Sequence, residues 1–220
     1  MTDPNKTAIA VILDASGSMG TRVSDVVVGF QTFIEEQRRV PGECTVTLTR
    51  FNEKATVDYT DKPLGQVPLP LEYRPWGGTA LFDAVGTTID QLGGRLAGMP
   101  EAKRPGKVIV LIITDGEENS SKEYTEQRVK DMIKHQTDKY GWVFNFMGCG
   151  LEAMKGAGQL GISSSNAAMF SGGNAHVAFA NYATKTSLTR GLQTNDAQVI
   201  AASMSYSAED RAALVTEGGK

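Results

Sequence analysis

The chain has 220 residues, 40% of them apolar and 21% charged, with 24 glycines and a formal net charge of −3. This composition excludes a disordered chain and, lacking a basic excess, gives no electrostatic footprint for nucleic acid. No eighteen-residue apolar run predicts a membrane span, the start "MTDPNKTAIAVIL" lacks the marks of a secretion signal, and two cysteines, Cys44 and Cys149, make no disulfide framework, so a cytoplasmic protein with reduced thiols is expected.

"AIAVIL" reads as a buried strand that ends on Asp14. After it, Val23, Val26, Val27, Phe30, Phe33 and Ile34 recur at helical spacing. Asp25, Gln31, Glu35 and Arg38 lie on the other face, which predicts a helix resting on a sheet and stopped by "VPGE". "CTVTLTRF" alternates like a strand, "NEK" turns and "ATVDY" returns, so this edge of the sheet is expected to be antiparallel. The proline-rich "DKPLGQVPLPLEYRPWGG" is a long connection, and long connections are often functional.

A second helix is predicted from Thr79, with Leu81, Ala84, Val85, Thr88, Ile89, Leu92 and Leu96 as its apolar stripe. "KRPGK" reads as a solvated basic loop. "GKVIVLIITD" has the continuous apolar character of a central parallel strand, and it too ends on an acid, Asp115. "SSKE" resembles a capping box opening an exposed helix to about Tyr140, with Val129, Met132 and Ile133 inward and His135 toward solvent. A strand at "WVFNFMGCG", a helix at "LEAMKGAGQLGI" weakened by Gly156 and Gly158, and a strand at "AAMFSG" follow. The last long helix, "NAHVAFANYATKTSLTRGL", turns Val177, Phe179, Tyr182 and Ala183 inward and carries His176 near its start in a structural role. Residues 193–220 read as a polar tail with room for a short helix at "SAEDRAALV".

The alternation of strands and helices predicts an α/β fold: a doubly wound, mostly parallel sheet with one antiparallel edge strand and helices on both faces. Ligands of such folds bind at the carboxyl ends of the strands, near the point where strand order reverses. Asp14 and Asp115 both end central strands, so the fold carries both to one rim.

Three stretches meet at that rim: "DASGS", "GGTALFDA" and "TDGEEN". They offer Asp14, Ser16, Ser18, Thr79 and Asp115, all oxygen donors with no His or Cys among them. Such a set disfavours a soft transition metal and suits a hard dication, most simply Mg2+, with Mn2+ as a substitute. Each stretch also has a plainer reading. Asp and Ser at a strand end are ordinary turn residues, Thr79 fits a helix N-cap, and "TDG" is a common strand exit. Asp83, one turn beyond Thr79, is expected to orient the site from behind, Glu117 and Glu118 to be solvated beside it, and Trp76 either to contact a ligand or to pack under the long loop.

The joint pattern resembles the von Willebrand factor A domain family. Its D-x-S-x-S motif stands as Asp14-Ala15-Ser16-Gly17-Ser18, its loop threonine as Thr79 in "GGTAL" and its second acid as Asp115 in "TDG". The run "LGISSSNAAMFSGGNAHVAFA" is similar to intracellular microbial members, and the resemblance spans Lys6 to Leu192 as one domain. It implies a metal-ion-dependent adhesion site in which Ser16 and Ser18 bind the ion directly, while Thr79 and the acids exchange between direct and water-mediated contact. It also implies a non-enzymatic module that binds a protein ligand presenting Asp or Glu. The competing reading is a Mg2+-dependent phosphohydrolase with Asp14 as nucleophile. Haloacid-dehalogenase-type phosphatases need an acid two residues on, where this chain has Ser16, and there is no G-x-x-x-x-G-K-[ST] loop.

Overall fold

In the computed structural model, which describes residues 2–215, six strands build one sheet. They are β1 (Asp3–Asp14), β2 (Glu43–Phe51), β3 (Ala55–Pro63), β4 (Pro105–Thr114), β5 (Val143–Cys149) and β6 (Ala167–Phe170), in the spatial order β3-β2-β1-β4-β5-β6. β1 pairs in parallel with β2 on one side and β4 on the other, and only the β2–β3 hairpin at the edge is antiparallel. The chain winds outward from β1 in one direction and then, from β4, in the other. The reversal lies between β1 and β4, and the carboxyl ends of these strands flank it.

Among the described residues seven α-helices cover the sheet: α1 (Val23–Arg39), α2 (Leu81–Ala97), α3 (Glu126–Tyr140), α4 (Gly150–Gln159), α5 (Ala175–Gly191), α6 (Ala197–Ser203) and α7 (Ala208–Val215). The central strands are apolar along their middles, Ala8–Leu13 of β1 and Val108–Ile113 of β4, because both faces are buried there. Ile9, Val11 and Leu13 of β1 with Ile109, Leu111 and Ile113 of β4 face α1 and α5, meeting Phe30, Phe33, Phe179 and Tyr182. Ala8, Ala10 and Ile12 with Val108, Val110 and Ile112 face α2, α3 and α4, meeting Leu81, Val85, Ile89, Val129 and Ala157. Gly29 lets α1 and α5 cross closely, since a Cβ there would stand 2.6 Å from the Phe179 ring.

Three expectations are corrected. Residues 193–215 are not a polar tail: α6 and α7 fold back on the core, burying Ile200, Met204, Tyr206 and Leu214. Lys185 of α5 pairs with Asp210 of α7 at 2.6 Å, and Asn145 of β5 donates to the Met204 carbonyl at 2.8 Å. Residues 216–220 of the expected tail lie outside the described residues. Second, "SSKE" is not the cap of α3. That helix starts later, where Thr125 accepts from the Arg128 amide, while Ser120 and Ser121 are held by Glu118.

Third, the basic loop "KRPGK" is not solvated at its end. Lys107 is the third residue of β4 and is completely buried. Its ammonium donates to the carbonyls of Pro4 and Leu192, both at 2.6 Å. Arg190, also buried, sits beside it at the amino end of the sheet and donates to the carbonyls of Gln37, Val40 and Gly42. The pairing has a chemical logic, because a buried cation tolerates its site only when carbonyl oxygens replace its water.

Candidate metal centre

The opposite, carboxyl end of the sheet gathers the acids. β1 ends on Asp14, whose side chain is fully buried and has both oxygens engaged. The Ser16 amide donates to Oδ1 at 2.7 Å, and Thr114, the last residue of β4, donates its hydroxyl to Oδ2 at 2.5 Å. Burial pushes the Asp14 carboxyl up to about 6, with the hydrogen bonds from Thr114 and Ser16 pulling against it and the nearby Asp115 charge adding to it. Ionised Asp14 is thus under-compensated by its own protein.

Beyond β1 the backbone turns into a short 3-10 segment, Gly17–Arg22. This turn brings the Ser16 and Ser18 hydroxyls to 3.0 Å from each other, and Ser18 donates to Asp115 Oδ1 at 2.6 Å. Ser16 is buried at the floor and Ser18 is exposed at the mouth. Thr79 lies just before α2 and is buried. Its own backbone is clamped to the β4 loop, the amide donating to Asn119 Oδ1 at 2.9 Å and the carbonyl accepting from the Asn119 amide at 3.0 Å. The Thr79 hydroxyl points to the space above Gly116. A Cβ at Gly116 would stand 3.3 Å from Thr79 Oγ1 and 3.9 Å from Ser18 Oγ, so the missing side chain leaves a small cradle that both hydroxyls line.

All five expected residues therefore converge. Asp14, Ser16, Ser18 and Asp115 are linked by contacts through the turn and Thr114, and Thr79 shares the Gly116 cradle with Ser18. No three His, Cys, Asp or Glu side chains among the described residues are grouped so that they alone could hold a metal ion, so a metal here would be held mainly by hydroxyl oxygens with two carboxylates. The donor chemistry fits a hard dication.

The surrounding loops have structure of their own. Tyr73, from the proline-rich connection, donates its hydroxyl to the Asp14 carbonyl. The Trp76 amide donates to the Ala15 carbonyl at 2.9 Å, and the Gly17 amide to the Gly77 carbonyl at 3.0 Å. Trp76 does not pack under the loop, since 56% of it is exposed beside the rim. Arg38 fastens the far part of the same connection through the carbonyls of Leu64 and Val67.

Two acidic residues hold the loop after β4 in place. Asp83 orients the site from behind as expected, without a hydrogen bond to the five residues: it caps the loop after β4, accepting from the amides of Lys122, Glu123 and Tyr124. Glu118 is no solvated bystander, because it accepts from the amides of Phe82, Ser120 and Ser121 and from the Ser121 hydroxyl. These two carboxylates tie the β4 loop to the start of α2 and so hold Thr79 and Asp115 at one place. Glu117 is exposed and pairs with Lys155 at 2.6 Å. A residue absent from the motif also enters the site: Arg22 donates to Asp115 Oδ2 at 2.6 Å. The sequence offers one signal for it, its place one helical turn beyond Ser18.

No protein-family model and no curated protein matches this chain. Solved structures do. Proximal thread matrix protein 1 from the mussel byssus, in a structure with a zinc-occupied adhesion-site motif, is 18% identical over 80% of this chain and 47% of its own, with a TM-score of 0.54. A von Willebrand factor type A structure from Catenulispora acidiphila is 16% identical over 90% of this chain and 43% of its own, at 0.56. The pilus adhesin SpaC from Lactobacillus rhamnosus GG is 15% identical over 83% of this chain and 30% of its own, at 0.63. The chain thus spans less than half the length of each of these structures. With the six-stranded, mostly parallel sheet, these likenesses show that the fold of this chain is that of the von Willebrand factor A domain.

Proposed function

We propose that this chain is a metal-dependent protein-binding module. Asp14, Ser16, Ser18, Thr79 and Asp115 would hold Mg2+, or Mn2+ in its place, and the loaded rim would take an Asp or Glu side chain of a partner protein. The observation that carries this reading is the convergence of two carboxylates and three hydroxyls, with no nitrogen or sulfur donor, at the switch point of the sheet. The likeness to a byssus protein structure whose adhesion motif holds zinc supports it. A bound dication supplies a Lewis-acidic position for an anion.

The chain's own residues do the rest. Thr114 and the Ser16 amide fix the Asp14 carboxylate, Asn119 fixes Thr79, and the Asp83 and Glu118 loop contacts keep Asp115 facing Ser18. Ser18 and half-exposed Trp76 lie at the open side, where a partner would dock. Binding rather than turnover is the better-supported use of Asp14: it is fully buried with both oxygens engaged, a poor arrangement for a phosphoryl-transfer nucleophile. No helix among the described residues is long and apolar enough to cross a membrane. Both cysteines are free thiols, which supports a cytoplasmic setting.

The test is a pull-down from the native host with the full chain as bait. A partner retained in Mg2+ and released by EDTA is the expected result, and changing one Asp or Glu of that partner to its amide should reproduce the EDTA effect. A specific partner that binds equally well in EDTA would overturn the metal-mediated reading.

A further inference from the structure

Arg22 ends the 3-10 turn that carries Ser18 and lies outside the motif that points to a metal. Its Nη1 donates to Asp115 Oδ2 at 2.6 Å, to the Ser18 carbonyl at 3.2 Å and to Thr21 Oγ1 at 3.2 Å. Its Nη2 lies 3.5 Å from Cys149 Sγ at the end of β5. The Nε is buried without a hydrogen-bond partner, so the side chain has given up water without full repayment from its neighbours. Only 18% of the Arg22 side chain and 3% of the Asp115 side chain are exposed. An ion pair this shielded is screened little by salt.

Both oxygens of Asp115 are therefore engaged within the chain. Arg22 takes one of its oxygens and Ser18 takes the other. An ion entering the cluster needs that carboxylate, or a water held by it, and it meets a guanidinium already there. Like charges in a poorly hydrated site repel, and the ion's gain is reduced by the loss of a charge-assisted hydrogen bond. Asp14 has no such partner, since its two oxygens face an amide and a hydroxyl.

We propose that Arg22 is a built-in competitor of the metal: by occupying Asp115 it lowers the affinity of the site for a dication and makes loading depend on cation concentration. This inference rests on the metal reading above, with Asp14, Ser16, Ser18, Thr79 and Asp115 as ligands. Arg22 acts as a positioning residue, because it acts through Asp115.

The experiment is a calorimetric titration of the full chain with Mn2+, using wild type, Arg22→Met, Arg22→Gln and Asp14→Ala. Removing the guanidinium should tighten Mn2+ binding roughly tenfold, the ratio that corresponds to about 1.4 kcal/mol for one charge-assisted hydrogen bond. Arg22→Gln, which keeps a polar stem and loses the charge, should tighten it in the same direction and serves if the Met variant does not fold. Thermal melts supply a second readout. In EDTA the Arg22 variants should melt below wild type, and in saturating Mn2+ the deficit should shrink. Binding lost in Asp14→Ala but no tighter in either folded Arg22 variant overturns the inference and leaves the metal site standing. So does a melting deficit that is equal with and without Mn2+, which would make Arg22 a structural clamp. Absence of Mn2+ binding in wild type, or binding unchanged in Asp14→Ala, overturns the metal reading and this inference with it.

Discussion

The two ends of the sheet bury charge in opposite ways. At the amino end, Lys107 and Arg190 are buried cations, and backbone carbonyls from Pro4, Leu192, Gln37, Val40 and Gly42 surround them. At the carboxyl end, Asp14 and Asp115 are buried carboxylates that share the rim with hydroxyls and one guanidinium. The cations are held by backbone carbonyls of the fold itself, although burial still lowers both Lys107 and Arg190 from their ordinary values. The carboxylates are crowded together, and burial has pushed Asp14 up to about 6. A protein keeps such a crowded group when something outside the chain balances it. Burial disfavours charge at both ends, so the difference lies in the partners: backbone carbonyls enclose the cations, while the carboxylates share a rim with side-chain hydroxyls that reach an exposed mouth at Ser18.

The sharpest way to break this comparison is at the amino end. Lys107→Ala would leave the Pro4 and Leu192 carbonyls buried without a donor. We expect a loss of about 4 kcal/mol in urea unfolding, from two orphaned acceptors and lost packing. The loss should be the same in EDTA and in Mg2+, because this end does not see the metal. A loss that depends on the metal, or one below about 1 kcal/mol, would remove the contrast between the ends.

A second experiment uses pH at the carboxyl end. The Asp14 carboxyl in the folded chain is raised from the ordinary 3.8 to about 6, so the folded state binds its proton more tightly than the unfolded one. Its contribution to stability is fully present below about pH 4 and is lost as pH rises through about 6, on the order of 3 kcal/mol in all. In EDTA, wild type should therefore be more stable at pH 5 than at pH 7.5 by urea unfolding, and Asp14→Asn should lack that part of the dependence. A wild type that gains stability over the same rise in pH would show that Asp14 is better compensated by its neighbours than the geometry implies.

The two ends were not equally legible in the sequence. The acids and hydroxyls at the rim could be found because they fall at strand ends in a fixed order, and strand ends in a doubly wound sheet converge. Asp14 and Asp115 stand at the ends of β1 and β4 as that logic puts them, with Ser16 and Ser18 in the turn after β1 and Thr79 just before α2. The amino end gave no such signal. Lys107 sits in "KRPGK", which looks solvated, and its burial depends on Leu192, 85 residues away along the chain. Residues 193–215 looked like a tail because their apolar positions, Ile200, Met204, Tyr206 and Leu214, are spread over two short helices and the link between them with no strong period. Asp83 orients the site as expected, whereas Glu118 was expected to be solvated and is not. Both hold backbone amides of the β4 loop, a role set by loop conformation and not by residue type. Arg22 escaped because one arginine at a turn is ordinary until its partner across the rim is known.

The central claim is that the carboxyl end is completed by a dication, and one measurement tests it most directly. Thermal or urea unfolding of wild type, Asp14→Ala and Asp115→Ala would be followed in EDTA and in Mg2+ at a hundredfold excess over its dissociation constant. An ion that binds only the folded state should add about 2.7 kcal/mol to the stability of wild type. Both alanine variants should lose that gain, while Lys107→Ala keeps it on top of its lower baseline. An equal Mg2+ response in wild type and in both rim variants would contradict the account and place the ion elsewhere.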